Sequence, residues 1–208
     1  MKNPAHLPVA VGKANYAGDI VAVVVAESRY AAADGLESVA VDYEPLDAVV
    51  TMEAARSDDV VIHDDLGTNV SYVWELTPEP DGIAAAFEEA AHHITETYLQ
   101  QRLIPAAMAH RGVAAVPAPH NGDITLYSST QIPHILMVMA SITLGLPEQK
   151  ARGVAPSVGG GFGSKLDVYA EEILCMALAN RRRAPVRWTE SRTEAAGATI
   201  QGLSLIHL

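Results

Sequence analysis

The sequence is poor in the features that most readily assign a function. It has one cysteine, Cys175, in 208 residues. A single cysteine makes no intrachain disulfide and no cysteine-based metal site, and a reducing, cytoplasmic setting is expected. No apolar run approaches the roughly 18 residues of a membrane span. The longest, Ile20 to Ala26, has the length of a strand. The opening MKNPAHLPVAVGK lacks the apolar stretch of a secretory signal. Positive charge is scarce: 14 Lys and Arg stand against 25 Asp and Glu, a net charge of −11. The only basic cluster is Arg181 to Arg183. Neutralising phosphates takes clustered Lys and Arg, so a nucleic-acid partner is not expected. There is no internal repeat and no low-complexity tract.

What is present suits a globular fold. Apolar residues make up 49% of the chain, enough to bury the core of one large domain or two small ones. Ile20 to Ala26 (IVAVVVA) reads as a strand buried on both faces. Ser28 caps a helix over Arg29 to Val39, and Val39 to Tyr43 reads as a second strand ended by Pro45. Residues 51–80 are acidic and broken by Gly67, Pro78 and Pro80; they read as a connection carrying one or two short strands. A helix follows from Asp81 to about Ala91. Strands are expected at Ile94 to Leu103, Gly112 to Val116 and Ile124 to Ser128. Pro133 opens a helix to Leu144, stopped by Gly145 and Pro147. A strand near Arg152 to Ala155 leads into a glycine-rich turn. A helix from Leu166 to Ala179 is expected after it, started by Ser164 and Asp167 and stopped at Asn180. The fold class is α/β, or α+β.

The glycine-rich turn is SVGGGFGSK, from Ser157 to Lys165. Consecutive glycines let backbone come close to a ligand, and a helix N-terminus offers free N–H groups and a positive dipole end. An anion or an oxygen-rich cofactor is the natural guest, and a bare connecting turn is the plain alternative. A Walker A loop is excluded, because Lys165 is preceded by Ser164 and followed by Leu166. The dinucleotide fingerprint fails too, because the sixth position counted from Gly159 is Ser164. Phe162, a large aromatic inside a glycine turn, is either a packing anchor or a wall of a site.

SVGGGFGSK followed by LDVYAEE resembles the molybdopterin-contacting loop of the xanthine dehydrogenase and aldehyde oxidase superfamily. Three other stretches resemble the same family in order and spacing: GDIVAVVVAESRYAAADGLESVAVDYEPLDAVV, LQQRLIPAAMAHRG and SSTQIPHILMVMASITLGLPEQKARGVAP. The balance resembles the large chain of carbon-monoxide dehydrogenases more than xanthine dehydrogenases. The resemblance implies the C-terminal part of an α/β hammerhead domain over residues 1–50 and a connection over 51–80. The first half of a molybdopterin-binding domain would follow over 81–202. It implies that backbone of Gly160, Gly161, Phe162 and Gly163 approaches the molybdenum–molybdopterin cofactor, in its cytosine dinucleotide form. It also implies that Gln131 hydrogen-bonds an oxygen ligand of molybdenum; a side-chain amide can donate there without adding charge. The implied activity is oxidative hydroxylation of carbon monoxide, an aldehyde or an N-heterocycle. Electrons would leave through an iron–sulfur small subunit and an FAD-binding medium subunit.

Two departures narrow the resemblance. Xanthine dehydrogenases carry a substrate-binding glutamate directly after the loop lysine, where this chain has Leu166, so purine hydroxylation is not implied. The Glu-Pro that often follows the Met of the PAAM-like element is replaced by Ala109-His110. The family's general-base glutamate and its substrate loop have no counterpart in these residues. The final LSLIHL, within residues 203–208, breaks the family pattern and reads as a non-native tail. A fragment, inactive alone, is therefore expected. The rival reading is a non-catalytic α/β module whose glycine loop binds a phosphate-bearing ligand with help from Lys165.

The other candidate groups read as ordinary structure. His92 and His93 are neighbours on an expected strand and point to opposite faces. His110, His120 and His134 have no metal-ligand spacing, so no protein-held metal is expected. Cys175 reads as a buried core residue. Asp58, Asp59, Asp64 and Asp65 read as solvated loop charge. Glu171 and Glu172 are adjacent on a helix and do not face each other.

Overall fold

The structure is a computed structural model that describes residues 2–74, 76, 80–99 and 103–199. The chain divides into two compact units, Met1–Ala5 with Asp42–Gln101, and His6–Val41 with Arg102–Leu208.

The first unit carries two helices, α2 (Met52–Ser57) and α3 (Pro80–Glu89). Thr51 caps α2, its hydroxyl accepting from the Ala54 N–H at 3.1 Å. Where strands were expected within 51–80, the described residues form this helix and a side-chain knot instead. Asp58 turns the chain in the left-handed region (φ 55°). Its carboxylate accepts from the Asn69 N–H at 2.7 Å and the Thr68 hydroxyl at 2.5 Å. Asn69 in turn donates to the Val60 carbonyl and accepts from the Ile62 N–H. These side-chain bonds satisfy backbone groups that a ladder would otherwise pair. After α3, His93 meets the Phe87 ring edge-on, with centroids 6.1 Å apart.

The second unit holds the sheet. Its elements are α1 (Arg29–Glu37), β1 (Gly112–Pro117), β2 (Ile124–Ser128), α4 (Pro133–Leu144), β3 (Ala151–Val154), α5 (Ala170–Arg182), β4 (Val186–Thr189) and α6 (Arg192–Gly197). The strand order is β3-β2-β1-β4. β1 runs antiparallel to both β2 and β4, while β2 and β3 are parallel. Parallel neighbours need a crossover connection, which α4 supplies between β2 and β3.

Alternation along the strands decides which face is covered. Val113 and Ala115 of β1 are buried, as are Ile124, Leu126 and Ser128 of β2. Val113 stands opposite Ser128 and Ala115 opposite Leu126. Leu136 and Ala140 of α4 and Ile173, Met176 and Ala179 of α5 complete the core. Each fully buried large side chain here contributes roughly 1.5–3 kcal/mol. Pro133 opens α4, and Gly145 closes it at φ 62° with the Leu146 N–H on the Ser141 carbonyl at 3.0 Å.

Three expected strands are not part of this sheet. Ile20 to Ala26 is extended but unpaired into a ladder, and Val21, Val23 and Val25 are exposed rather than buried on both faces. Val39 to Tyr43 likewise joins no ladder. β-branched residues set a preference for extended backbone, but a strand needs a neighbour to accept its N–H groups, and β1 to β4 pair only with one another. The described part of Ile94 to Leu103 is also outside the sheet, and residues 100–102 of it lie outside the described residues. Residues 203–208, expected as a foreign tail, are outside them too.

The last long helix begins and ends later than expected. Residues 161–167 fold as consecutive turns, with Ser164 N–H on the Gly161 carbonyl and Leu166 N–H on that of Gly163. Helix α5 starts at Ala170 because the Glu172 carboxylate reaches back to the Tyr169 N–H at 3.0 Å. Asn180 stays inside it, and Arg183 takes the left-handed stop at φ 54°.

Candidate functional site

The glycine-rich turn leaves β3 and lies against two other pieces of chain. One is the segment 106–109 and the other is Gln131, just before α4. The missing side chains explain the fit. A Cβ on Gly159 would fall 2.2 Å from the Cβ of Ala109, and one on Gly161 would fall 2.3 Å from Oε1 of Gln131. A Cβ on Gly160 would press on Phe162 at 3.1 Å and on Ala107 at 3.4 Å. The chain itself therefore occupies the space that these three glycines leave. At Gly163 nothing lies within 4 Å, so there the open side is available to a guest. Phe162 sits at φ 51° and is 61% exposed, so it is not a packing anchor.

Gln131 is fixed by two bonds to one residue. Its N–H donates to the Lys165 carbonyl at 2.8 Å, and its Oε1 accepts from the Lys165 N–H at 3.3 Å. With the amide oxygen so engaged, the NH2 end is the one left to donate, on a residue that is exposed. The structure thus brings Gln131, Gly160, Gly161, Phe162 and Gly163 together.

Behind the turn lies a group of buried charges. Lys165 is 2% exposed, and its Nζ donates to the carbonyls of Val158 at 2.6 Å and Ala109 at 2.9 Å. Burial lowers its pKa from the usual lysine range; Glu190 opposes that and Arg111 adds to it. Arg111 lies between Glu190 and Glu171, with contacts of 2.8 Å and 3.0 Å, and its guanidinium stacks 3.7 Å from the Tyr169 ring centroid. Burial works against the Arg111 charge, but the two carboxylates outweigh it and raise its pKa. Glu172 accepts from the Ser128 hydroxyl and the Tyr169 N–H, and burial raises its pKa. Arg192 binds the carbonyls of Ala107 at 2.8 Å and Met108 at 3.1 Å.

Of these charges only Lys165 was singled out as a candidate site residue in the sequence, as cationic help for a phosphate. Buried Arg111 leaves no periodic signature, since its partners come from chain 60 or more residues away. The helix-capping Glu172 could have been found: it stands three residues after Tyr169, at the capping-box position.

The phosphate-binding alternative is not supported. It needed Lys165 at the mouth of the loop and a helix N-terminus behind it. Lys165 is turned inward onto two carbonyls, and the helix starts five residues later at Ala170.

Comparison with known proteins gives the site its context. A family model described as the molybdopterin cofactor-binding domain matches residues 62–206. The carbon monoxide dehydrogenase large chain of Hydrogenophaga pseudoflava is 31% identical over 192 residues, covering 86% of this chain and 24% of the relative. The nicotine 6-hydroxylase large subunit of Paenarthrobacter nicotinovorans is 32% identical over 179 residues, covering 86% and 22%. Among solved structures, quinoline 2-oxidoreductase from Pseudomonas putida 86 superposes with a TM-score of 0.80 at 33% identity, over 90% of this chain and 24% of that one. The chain thus spans about a quarter of the length of these relatives. It belongs to the molybdopterin cofactor-binding domain family, that of the molybdenum-binding subunits of carbon monoxide dehydrogenase- and xanthine dehydrogenase-type oxidoreductases.

Proposed function

We propose that this chain is a part of the large subunit of a molybdenum hydroxylase and forms one wall of its cofactor cleft. Residues 1–50 are then the end of a hammerhead domain, 51–80 a connection and 81–202 the first part of the cofactor domain. The observation that carries the reading is the pairing of Gln131 with Lys165, which leaves an amide NH2 to donate beside the glycine-rich turn.

The residues fit such a group. An oxygen-rich pterin calls for neutral donors and close backbone; the exposed Gln131, against Gly161, offers the first and the open flank of Gly163 the second. Gln131 would hold the molybdenum end, with Gly160, Gly161, Phe162 and Gly163 shaping the wall. When bound, the cofactor supplies two-electron oxidative hydroxylation; the protein's part is binding, orientation and hydrogen bonding. Phe162, largely exposed at the mouth, would exclude water there. The form expected in this branch carries cytosine dinucleotide, with iron–sulfur and FAD groups in a small and a medium partner subunit, in the cytoplasm. Relatives named for carbon monoxide, nicotine and quinoline chemistry leave carbon monoxide and N-heterocycles in view, with aldehydes beside them. Leu166, 56% exposed where purine enzymes carry glutamate, argues against purines.

The test is metal and pterin analysis of the protein purified in its native assembly from molybdate-fed cells. Near one molybdenum per chain, falling severalfold in Gln131→Ala, is expected. Wild-type protein free of both molybdenum and pterin would sink the proposal.

A further inference from the structure

Lys165 joins three pieces of chain. Its ammonium, almost wholly removed from water, bonds the carbonyls of Val158 and Ala109. Its main chain holds Gln131 through both the backbone and the amide oxygen. Arg192 takes the two carbonyls before Ala109, so three successive carbonyls, 107 to 109, are bonded to two cations. Segment 106–109 also carries a left-handed alanine, Ala106 at φ 47°, a conformation that a side chain disfavours and that its surroundings must hold.

We propose that Lys165 is a positioning residue: it staples the glycine-rich turn to segment 107–109 and sets which end of the Gln131 amide faces the cleft. The proposal rests on the cofactor reading only for what Gln131 faces; the staple itself is a property of the chain. The charge matters because a neutral side chain would leave the Val158 and Ala109 carbonyls without their donor, and charge-assisted bonds are about twice as strong as neutral ones. The direction matters as well. Nζ donates to two backbone carbonyls of the chain, which is the work of a brace.

The experiment compares Lys165→Met, Lys165→Arg and wild type by amide hydrogen exchange and by molybdenum content, in the natively assembled protein. Lys150→Met is the control, since that Nζ makes an exposed bond to the Asn121 carbonyl. Lys165→Met is expected to speed exchange at 107–110 and 158–166 by about tenfold or more while β1 and β2 keep their protection, and to lower molybdenum severalfold. Arginine can donate to two carbonyls, so Lys165→Arg should recover at least half of each effect. Lys150→Met should match wild type. Unchanged exchange at 158–166 in Lys165→Met would overturn the proposal. So would lost molybdenum with unchanged exchange, which would make the lysine a direct ligand contact. If Lys165→Met exchanges rapidly throughout, Lys165→Arg decides: faster exchange confined to 107–110 and 158–166 supports the staple, and faster exchange everywhere overturns it. Wild-type protein without molybdenum would end the cofactor reading, while the exchange data would still judge the staple.

Discussion

Arg111 and Glu190 meet twice. The backbone N–H of Arg111 donates to one carboxylate oxygen of Glu190 at 3.0 Å, and its Nε donates to the other at 2.8 Å. Both residues are buried, at 5% and 3% exposure, and the pair joins the start of β1 to the end of β4. A buried ion pair of this kind is a poor guide to net stability, but removing one partner strands the other. Arg111→Met leaves Glu190 and Glu171 without their cation. The expected loss is about 3–5 kcal/mol by urea denaturation. A loss below about 1 kcal/mol would mean that water reaches the site and the pair is not desolvated.

The glycines of the turn should separate into two kinds. At Gly159 the backbone is left-handed (φ 68°) and an added methyl collides with the Ala109 Cβ, which cannot move freely. Gly159→Ala is therefore expected to cost about 2 kcal/mol or more. At Gly161 the obstacle is the far end of Gln131, a side chain that can swing away. Gly161→Ala should cost less than about 1 kcal/mol, yet displace the amide that the proposed cofactor contact needs. Thermal melts with molybdenum analysis check both. Equal melting shifts for the two variants would contradict this packing.

Much of the sheet was legible in the sequence because its signals are local. The β1 and β2 alternation, Pro133 at the start of α4 and Gly145 at its end are each readable within a few residues. Ile20 to Ala26 was misread because its composition specifies extended backbone and says nothing about a neighbour. The start of α5 was misplaced because Ser164 and Asp167 look like a cap, whereas the Ser164 hydroxyl donates to the Gly161 carbonyl at 2.9 Å and the Ser164 carbonyl accepts from the Tyr169 hydroxyl at 2.6 Å. β4 was missed at four residues, although the Ser191–Glu194 capping box that opens α6 was there to be read. At the site, the glycines and Gln131 stood out as a motif. The charges that brace them did not, because burial and partners are properties of the fold.

Glu172 gives the protein a pH dependence of defined sign. Burial raises its pKa above the ordinary glutamate value of 4.5, with the Ser128 and Tyr169 bonds opposing. A carboxyl whose folded pKa is raised favours the fold most when protonated. Its contribution is fully present below pH 4.5 and is lost as pH rises through the folded pKa. Glu172→Gln removes that titration. The amide can accept only one of the two bonds, a cost that does not vary with pH. Between pH 4.5 and neutrality, wild type should therefore lose stability relative to Glu172→Gln. Denaturation curves of both proteins across that range check it, and parallel pH profiles would show that Glu172 is solvated.

Cys175 offers a probe of how tightly the helices cover the sheet. It lies on α5 in the core, and burial pushes its thiol pKa up to about 12, with Glu171 and Glu172 adding to the shift. Only the thiolate attacks an alkylating agent or an aromatic disulfide, so two barriers act together, lack of access and lack of ionisation. At pH 8 the native protein should leave the thiol unmodified over a period in which urea-unfolded protein reacts completely. The residual native rate then reports opening of α5 from the sheet, and it should rise in Arg111→Met, because Arg111 joins β1 to Glu171 at the start of that helix. Native labelling as fast as unfolded labelling would show that α5 does not stay packed on β1.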